Sequence, residues 1–150
     1  MTAMKSFKMR WPVLNCEVLC DSIPENQAVL DALLENMPGK ALQGHEMVGG
    51  RILRCRALQL KKRPLDFEDG ELTMESLEQA PVGRVSLLGS LGSAVELLVK
   101  YDNCVDDRDY IPVAQVRPEC LSELCKAAKL QWRSATREQK TIVAEFMEVD

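Results

Sequence analysis

The chain has 150 residues, 46% of them hydrophobic and 28% charged, a balance that fits one folded globular domain with room for a sizeable core. Its formal net charge of −4 argues against a nucleic-acid binder, and no stretch approaches the roughly 20 apolar residues that cross a membrane. Lys5, Lys8 and Arg10 imitate the start of a signal peptide, but Trp11-Pro12 interrupts before an apolar region forms, so a cytoplasmic protein is expected.

In that compartment Cys16, Cys20, Cys55, Cys104, Cys120 and Cys125 read as free thiols. Cys16, Cys20 and Cys125 fall on apolar faces and read as small core residues, whereas Cys104 in a polar stretch could be exposed. The spacings C-x3-C and C-x4-C, with one histidine far from both, make a poor zinc pattern, and no metal is expected.

Residues 13–20 alternate, with Leu14, Cys16, Val18 and Cys20 on one face, which predicts a half-buried strand. Ser22-Ile23-Pro24-Glu25 has the form of a capping box and predicts a helix carrying Ala28, Val29, Ala32, Leu33 and Met37, ended by Pro38-Gly39. Strands are predicted at 41–48 and 51–60, with Gly49-Gly50 supplying a hairpin turn between them. In the second of these, Leu53, Cys55 and Ala57 face one way and Arg54 and Arg56 the other.

Residues 61–82 turn from basic to acidic around Pro64, Gly70 and Pro81, and read as a long loop with a helical turn at 73–77. Three more strands are predicted at 83–88, 94–100 and 110–116. Asp106, Asp107 and Asp109 lack the glycine and terminal glutamate of a calcium loop, so a solvated acidic loop is expected. The last 33 residues predict two helices, the first opened by Pro118 and the second by a capping box at Thr136–Gln139, with Trp132 packed between them. The order points to an antiparallel sheet or barrel closed by one early helix, at 1–116, and a C-terminal helical hairpin at 117–150 that covers the barrel or joins a partner, a homodimer included.

One position stands out chemically. His45 is the only histidine, lies between glycines that leave room for a ligand, and is the one side chain whose ordinary pKa falls near neutrality. Adjacent strand residues point to opposite faces, so His45 shares its face with Gln43 and Met47 while Glu46 points away.

Several phrases carry a family likeness: Ser22-Ile23-Pro24-Glu25-Asn26, Met37-Pro38-Gly39-Lys40-Ala41, Gly44-His45-Glu46-Met47-Val48-Gly49-Gly50, Ala80-Pro81-Val82-Gly83-Arg84-Val85 and Tyr110-Ile111-Pro112-Val113-Ala114. Over roughly residues 13–116 the chain resembles the cyclophilin-like proteins of bacteria, and among them the cucumopine synthase group, whose appended helical bundle the C-terminal pair is also like. The Phe-His-Arg and Gly-Gly-Asp motifs of prolyl isomerases are missing, so that activity is not expected.

The resemblance implies a cyclophilin-like antiparallel β-barrel, mainly β with α, and a Pictet–Spengler-type condensation of L-histidine with α-ketoglutarate that needs no cofactor. Such a reaction asks for proton transfer and for cations that hold carboxylates. His45 is then the acid/base candidate, with Glu46 as fallback and Tyr110 as a further proton donor. Arg51, Arg54 and Arg84 are the carboxylate-clamp candidates, and Met47 lines the site beside His45. Fold alone leaves open a non-catalytic domain that binds small carboxylates, or a different small-molecule lyase or hydrolase.

Overall fold

A computed structural model describes residues 3–59, 72–88 and 94–149; the basic stretch and most of the acidic stretch of the long loop, and the Gly89–Ser93 linker, lie outside the described residues. The strands are β1 (Ser6–Trp11), β2 (Cys16–Ser22), β3 (Gly39–His45), β4 (Gly50–Gln59), β5 (Glu75–Ser76), β6 (Arg84–Leu88), β7 (Ala94–Cys104), β8 (Asp109–Val116) and β9 (Ile142–Val149). Among the described residues two α-helices join them, α1 (Gln27–Leu34) and α2 (Leu121–Arg133).

Eight strands run antiparallel in the order β2-β1-β9-β3-β4-β7-β6-β8, and β8 pairs back with β2. The sheet is thus a closed barrel, which leaves it no open edge, and β5 adds outside to β8. Alternation fills the interior: Phe7, Met9 and Trp11 from β1, Cys16, Val18 and Cys20 from β2, and Leu53 and Cys55 from β4 join one buried cluster.

The helices close this core. Val29, Leu30, Leu33 and Leu34 of α1 and Leu124, Ala127 and Ala128 of α2 belong to the same cluster. Helix α2 packs on β2, β3 and β7, no two of which are neighbours in the barrel, so it crosses a mouth rather than lying along a wall.

The chain's end departs from expectation. The second helix predicted from Thr136 is instead strand β9, wedged between β1 and β3. Its residues Ile142, Ala144 and Phe146 are buried at period two, a pattern that the run Ile142, Val143, Phe146, Met147 disguises as a helical stripe. Thr136 caps nothing; its hydroxyl donates to the Trp132 carbonyl within the irregular turn Ser134–Glu138, and Gln139 at φ 54° reverses the chain. The C-terminal segment is therefore one helix and one barrel strand, and the barrel draws on both sides of residue 116.

Other boundaries also moved. Strand β1 was not expected. Ser22 closes β2 and accepts a hydrogen bond from the Lys5 amide at 3.0 Å, so it does not cap α1. Asn26 stands at that helix start in a left-handed conformation (φ 53°), and its side chain ties Thr73 and Pro112 instead. The helical turn predicted at 73–77 is the short strand β5.

A second, smaller buried cluster lies on the outer face of the barrel, where Leu77 and Ala80 cover Ile52, Leu98, Cys104 and Tyr110. Lys100, 3% exposed, pins this cover: its ammonium donates to the carbonyls of Leu77, Glu78 and Ala80 at 2.9, 2.9 and 2.7 Å. Cys104 is consequently buried, contrary to its expected exposure, while Cys16 and Cys20 are core residues as expected and Cys125 is half-buried. No helix among the described residues is long and apolar enough to cross a membrane.

Candidate functional site

The hairpin between β3 and β4 divides the chemistry of the sequence into two sides. His45 ends β3 opposite Leu53, and Leu53 is opposite Val99, so Tyr101, two residues further along β7, falls on the same inward face as His45. The Tyr101 hydroxyl lies 2.6 Å from His45 Nε2, and His45 Nδ1 lies 2.6 Å from the Glu46 carbonyl oxygen. A carbonyl only accepts, so Nδ1 carries the proton and Nε2 accepts from Tyr101. Burial lowers the imidazole pKa from its ordinary value, against the opposing pull of the Glu46 carbonyl and carboxylate. His45 is therefore neutral at pH 7, in one fixed tautomer.

The Trp132 ring lies 4.8 Å from the His45 ring, tilted by 57°, and Tyr101 meets His45 edge-on at 5.5 Å. His45 and Trp132 line a cavity of about 500 Å3 at the barrel mouth crossed by α2, with Tyr101 behind the imidazole. Gln43, Met47, Gln131 and Thr136 also line it, and Arg56 and Lys140 bring two cations to its rim. Both cations are more than half exposed, Arg56 3.6 Å from Glu96 and Lys140 3.2 Å from Glu138. Gln43 forms the link to the core: its carboxamide oxygen accepts from the buried Trp11 indole at 2.8 Å and from the Cys55 thiol at 3.1 Å, and its nitrogen donates to Gly44 O at 2.7 Å.

Glu46 points the other way, as the strand period requires. Its carboxylate accepts from the Met47 and Val48 amides at 3.0 and 3.3 Å and pairs with Arg54 at 2.7 Å. Burial alone would raise its pKa, but the Val48 amide, the Arg54 charge and the Met47 and Gly49 amides bring it below the usual carboxylate value. Arg54 also holds Glu96 at 2.8 Å, so it is a bridge between two carboxylates. On the same outer side, the buried Tyr110 donates to Asp106 at 2.7 Å, and Arg108 forks onto Asp106 at 3.0 and 2.8 Å. The Arg108 guanidinium holds the Asp106 carboxyl down at about 2, so this aspartate is a buried anchor, not part of a solvated loop. Gly49 separates the two networks: a Cβ there would stand 3.1 Å from Glu46 Cγ and 3.2 Å from Asp106 Cβ. Gly50 alone of the glycine pair takes a positive φ, 113°.

The sequence candidates thus fall in different places. His45 and Met47 line the mouth cavity; Glu46, Arg54 and Tyr110 gather on the outer face around Gly49; Arg84 pairs with Glu75 at 2.8 Å on β6; and Arg51 is exposed beside Asp102 at 3.4 Å. None of the three arginines proposed as clamps lines the His45 cavity, whose rim cations are Arg56 and Lys140. Tyr101, Gln131 and Lys140 were missed as site residues, and Trp132 faces the imidazole instead of lying between two helices. Register across β3, β4 and β7 would have found Tyr101; nothing local in the sequence joins residues 131–140 to residue 45.

No family model matches the sequence, and no curated protein matches it. Among solved structures the chain is similar to McbB, determined in complex with tryptophan, with a TM-score of 0.77 and 24% identity over 94% of this chain. The match spans 44% of that McbB chain, so this chain corresponds to less than half of it. The likeness shows a shared fold, the cyclophilin-like antiparallel barrel.

Proposed function

We propose that the chain is a condensing enzyme that joins an amino acid to a 2-oxo acid in the cavity at His45, with L-histidine and α-ketoglutarate as the substrates implied by the cucumopine synthase resemblance. The observation that carries this reading is the neutral, tautomer-fixed imidazole of His45, hydrogen-bonded to Tyr101 on the wall of a 500 Å3 cavity with two rim cations. A structural neighbour that binds tryptophan adds support, because tryptophan is also an amino acid bearing an aromatic heterocycle.

The chemistry suits these groups. The substrate amine adds to the ketone carbon and water leaves, giving an imine that is protonated to an iminium. A ring carbon of the amino acid then attacks the iminium carbon, and the ring loses a proton to regain aromaticity. No electron is gained or lost overall, and the product equals both substrates minus one water.

His45 Nε2 accepts a proton directly or through the Tyr101 hydroxyl, which then acts as a relay between substrate and imidazole. Trp132 offers a flat face against which the substrate ring stacks. Arg56 and Lys140 hold carboxylates at the rim, Arg56 with the planar fork suited to bidentate contact. Glu46 serves as a structural anchor: ionised, buried and satisfied by Arg54 and two amides, it is a weak base, while its carbonyl fixes the tautomer of His45.

The test is incubation of the purified protein with L-histidine and α-ketoglutarate, with product followed by mass spectrometry. Accumulation of a species with the mass of both minus water, stable to dilution and absent without protein, is the expected result. Binding of either compound with both left unconverted would favour a non-catalytic carboxylate-binding domain, and conversion of one alone a lyase or hydrolase.

A further inference from the structure

Alternating charges on the outer face of the barrel run from a buried anchor to the rim of the His45 cavity. The anchor is the Glu46 carboxylate, held by the Met47 and Val48 amides and paired with Arg54 Nη1 at 2.7 Å. Arg54 donates in turn from Nε and Nη2 to one oxygen of Glu96, Oε2, at 2.8 and 2.5 Å. The other Glu96 oxygen, Oε1, lies 3.6 Å from Nε of Arg56, which lines the cavity. Each oxygen of this one carboxylate thus serves a different arginine.

Strand pairing explains how an outward arginine reaches the mouth. Cys55 is opposite Leu97 and Leu58 is opposite Val95, so two residues of β4, Arg56 and Ala57, stand against Glu96 alone. An extra residue of this kind bends its strand and re-aims a side chain. At 3.6 Å the Arg56–Glu96 contact is an ion pair longer than a hydrogen bond, so Glu96 orients the guanidinium without taking up its N–H groups. Lys140, by contrast, pairs with the exposed Glu138 of its own turn, so of the two rim cations Arg56 is the one tied back to a buried group.

We propose that Glu96 is a positioning residue of this site: it aims Arg56 at the carboxylate of the 2-oxo acid, and takes its own position from Glu46 through Arg54. The inference rests on the assignment of the His45 cavity as the substrate site. The sign of the effect separates position from charge. A carboxylate beside an anion site repels the ligand, so its removal tightens binding if charge alone matters. Removal weakens binding if Glu96 holds Arg56 in place. In Glu96→Gln the amide oxygen faces Arg54 and the NH2 then faces Arg56, which turns the guanidinium away. Glu96→Asp keeps the charge but is one methylene shorter and cannot span both arginines.

Calorimetric titration with α-ketoglutarate tests this, with urea midpoints recorded for every variant. Arg56→Met should weaken binding at least about tenfold, the size of a lost charged hydrogen bond. Glu96→Gln and Glu96→Asp should each weaken it about three- to fivefold, the size of one exposed ion pair. In the Arg56→Met background the same two substitutions should weaken it no further. In turnover, both should raise KM for α-ketoglutarate with kcat within about twofold of wild type. Binding by the Glu96 variants as tight as wild type or tighter, or an equal loss when Arg56 is already gone, overturns the role of Glu96 and leaves the condensing reading standing. If Glu96→Gln does not fold, Glu96→Asp decides alone. Failure of α-ketoglutarate to bind the wild-type protein overturns both.

Discussion

Gln43 sits where the barrel core meets the candidate site, and its replacement by leucine has consequences that can be worked from the structure. The Trp11 indole N–H is fully buried and its partner at 2.8 Å is the Gln43 carboxamide oxygen. Leucine removes that acceptor, leaving a buried donor orphaned at about 1–3 kcal/mol, and also removes the bond to Gly44 O, worth about 1 kcal/mol net. The Cys55 thiol, a weak donor, adds little. The sum is a destabilisation of about 2–4 kcal/mol, or roughly 5–15 °C in Tm for a domain of this size.

The assay is urea unfolding of wild type, Gln43→Leu, Trp11→Phe and the double variant. Removing the donor together with the acceptor leaves no indole N–H orphaned, so the double variant should be at least about 1 kcal/mol more stable than the two single losses sum to. Strict additivity, or a Gln43→Leu variant as stable as wild type, would refute the claim that this bond links core and site.

Two further outcomes follow from buried charge and titration. Replacing Lys100 by methionine strips three carbonyls of their donor and should cost about 3 kcal/mol or more, with earlier proteolysis near residues 77–80 than in wild type; unchanged unfolding and cleavage would refute the pinning. Because the folded pKa of His45 lies below its ordinary 6.5, its contribution to stability is complete above about 6.5 and is lost as pH falls from there through the folded value. His45→Gln should flatten the stability profile over pH 7.5–5.5, and the single imidazole of the wild-type protein should titrate below 6.5 by NMR; parallel profiles with a midpoint at or above 6.5 would contradict the neutral assignment.

Much of the barrel was legible because half-buried strands declare themselves by period two: Cys16/Val18/Cys20 and Leu53/Cys55 turned inward as their spacing required. Strand β9 was not, since a barrel strand flanked by hydrophobic neighbours such as Val143 and Met147 reads equally well at helical spacing, and only pairing with β1 and β3 decides. Likewise Ser22 had the chemistry of a cap but was claimed by the Lys5 amide on the neighbouring strand. The site divides in the same manner. The opposite facing of His45 and Glu46 is a local property and was readable, whereas Tyr101, Gln131 and Trp132 reach His45 only through barrel closure and the path of α2 across its mouth.

The most direct measurement is the turnover of His45→Ala beside wild type, with circular dichroism and unfolding midpoint recorded for both. A folded variant that forms the L-histidine–α-ketoglutarate condensation product at least about 100-fold more slowly is the expected result, the size of a lost general acid–base group. A folded variant that makes the product at the wild-type rate would contradict the placement of the chemistry at His45.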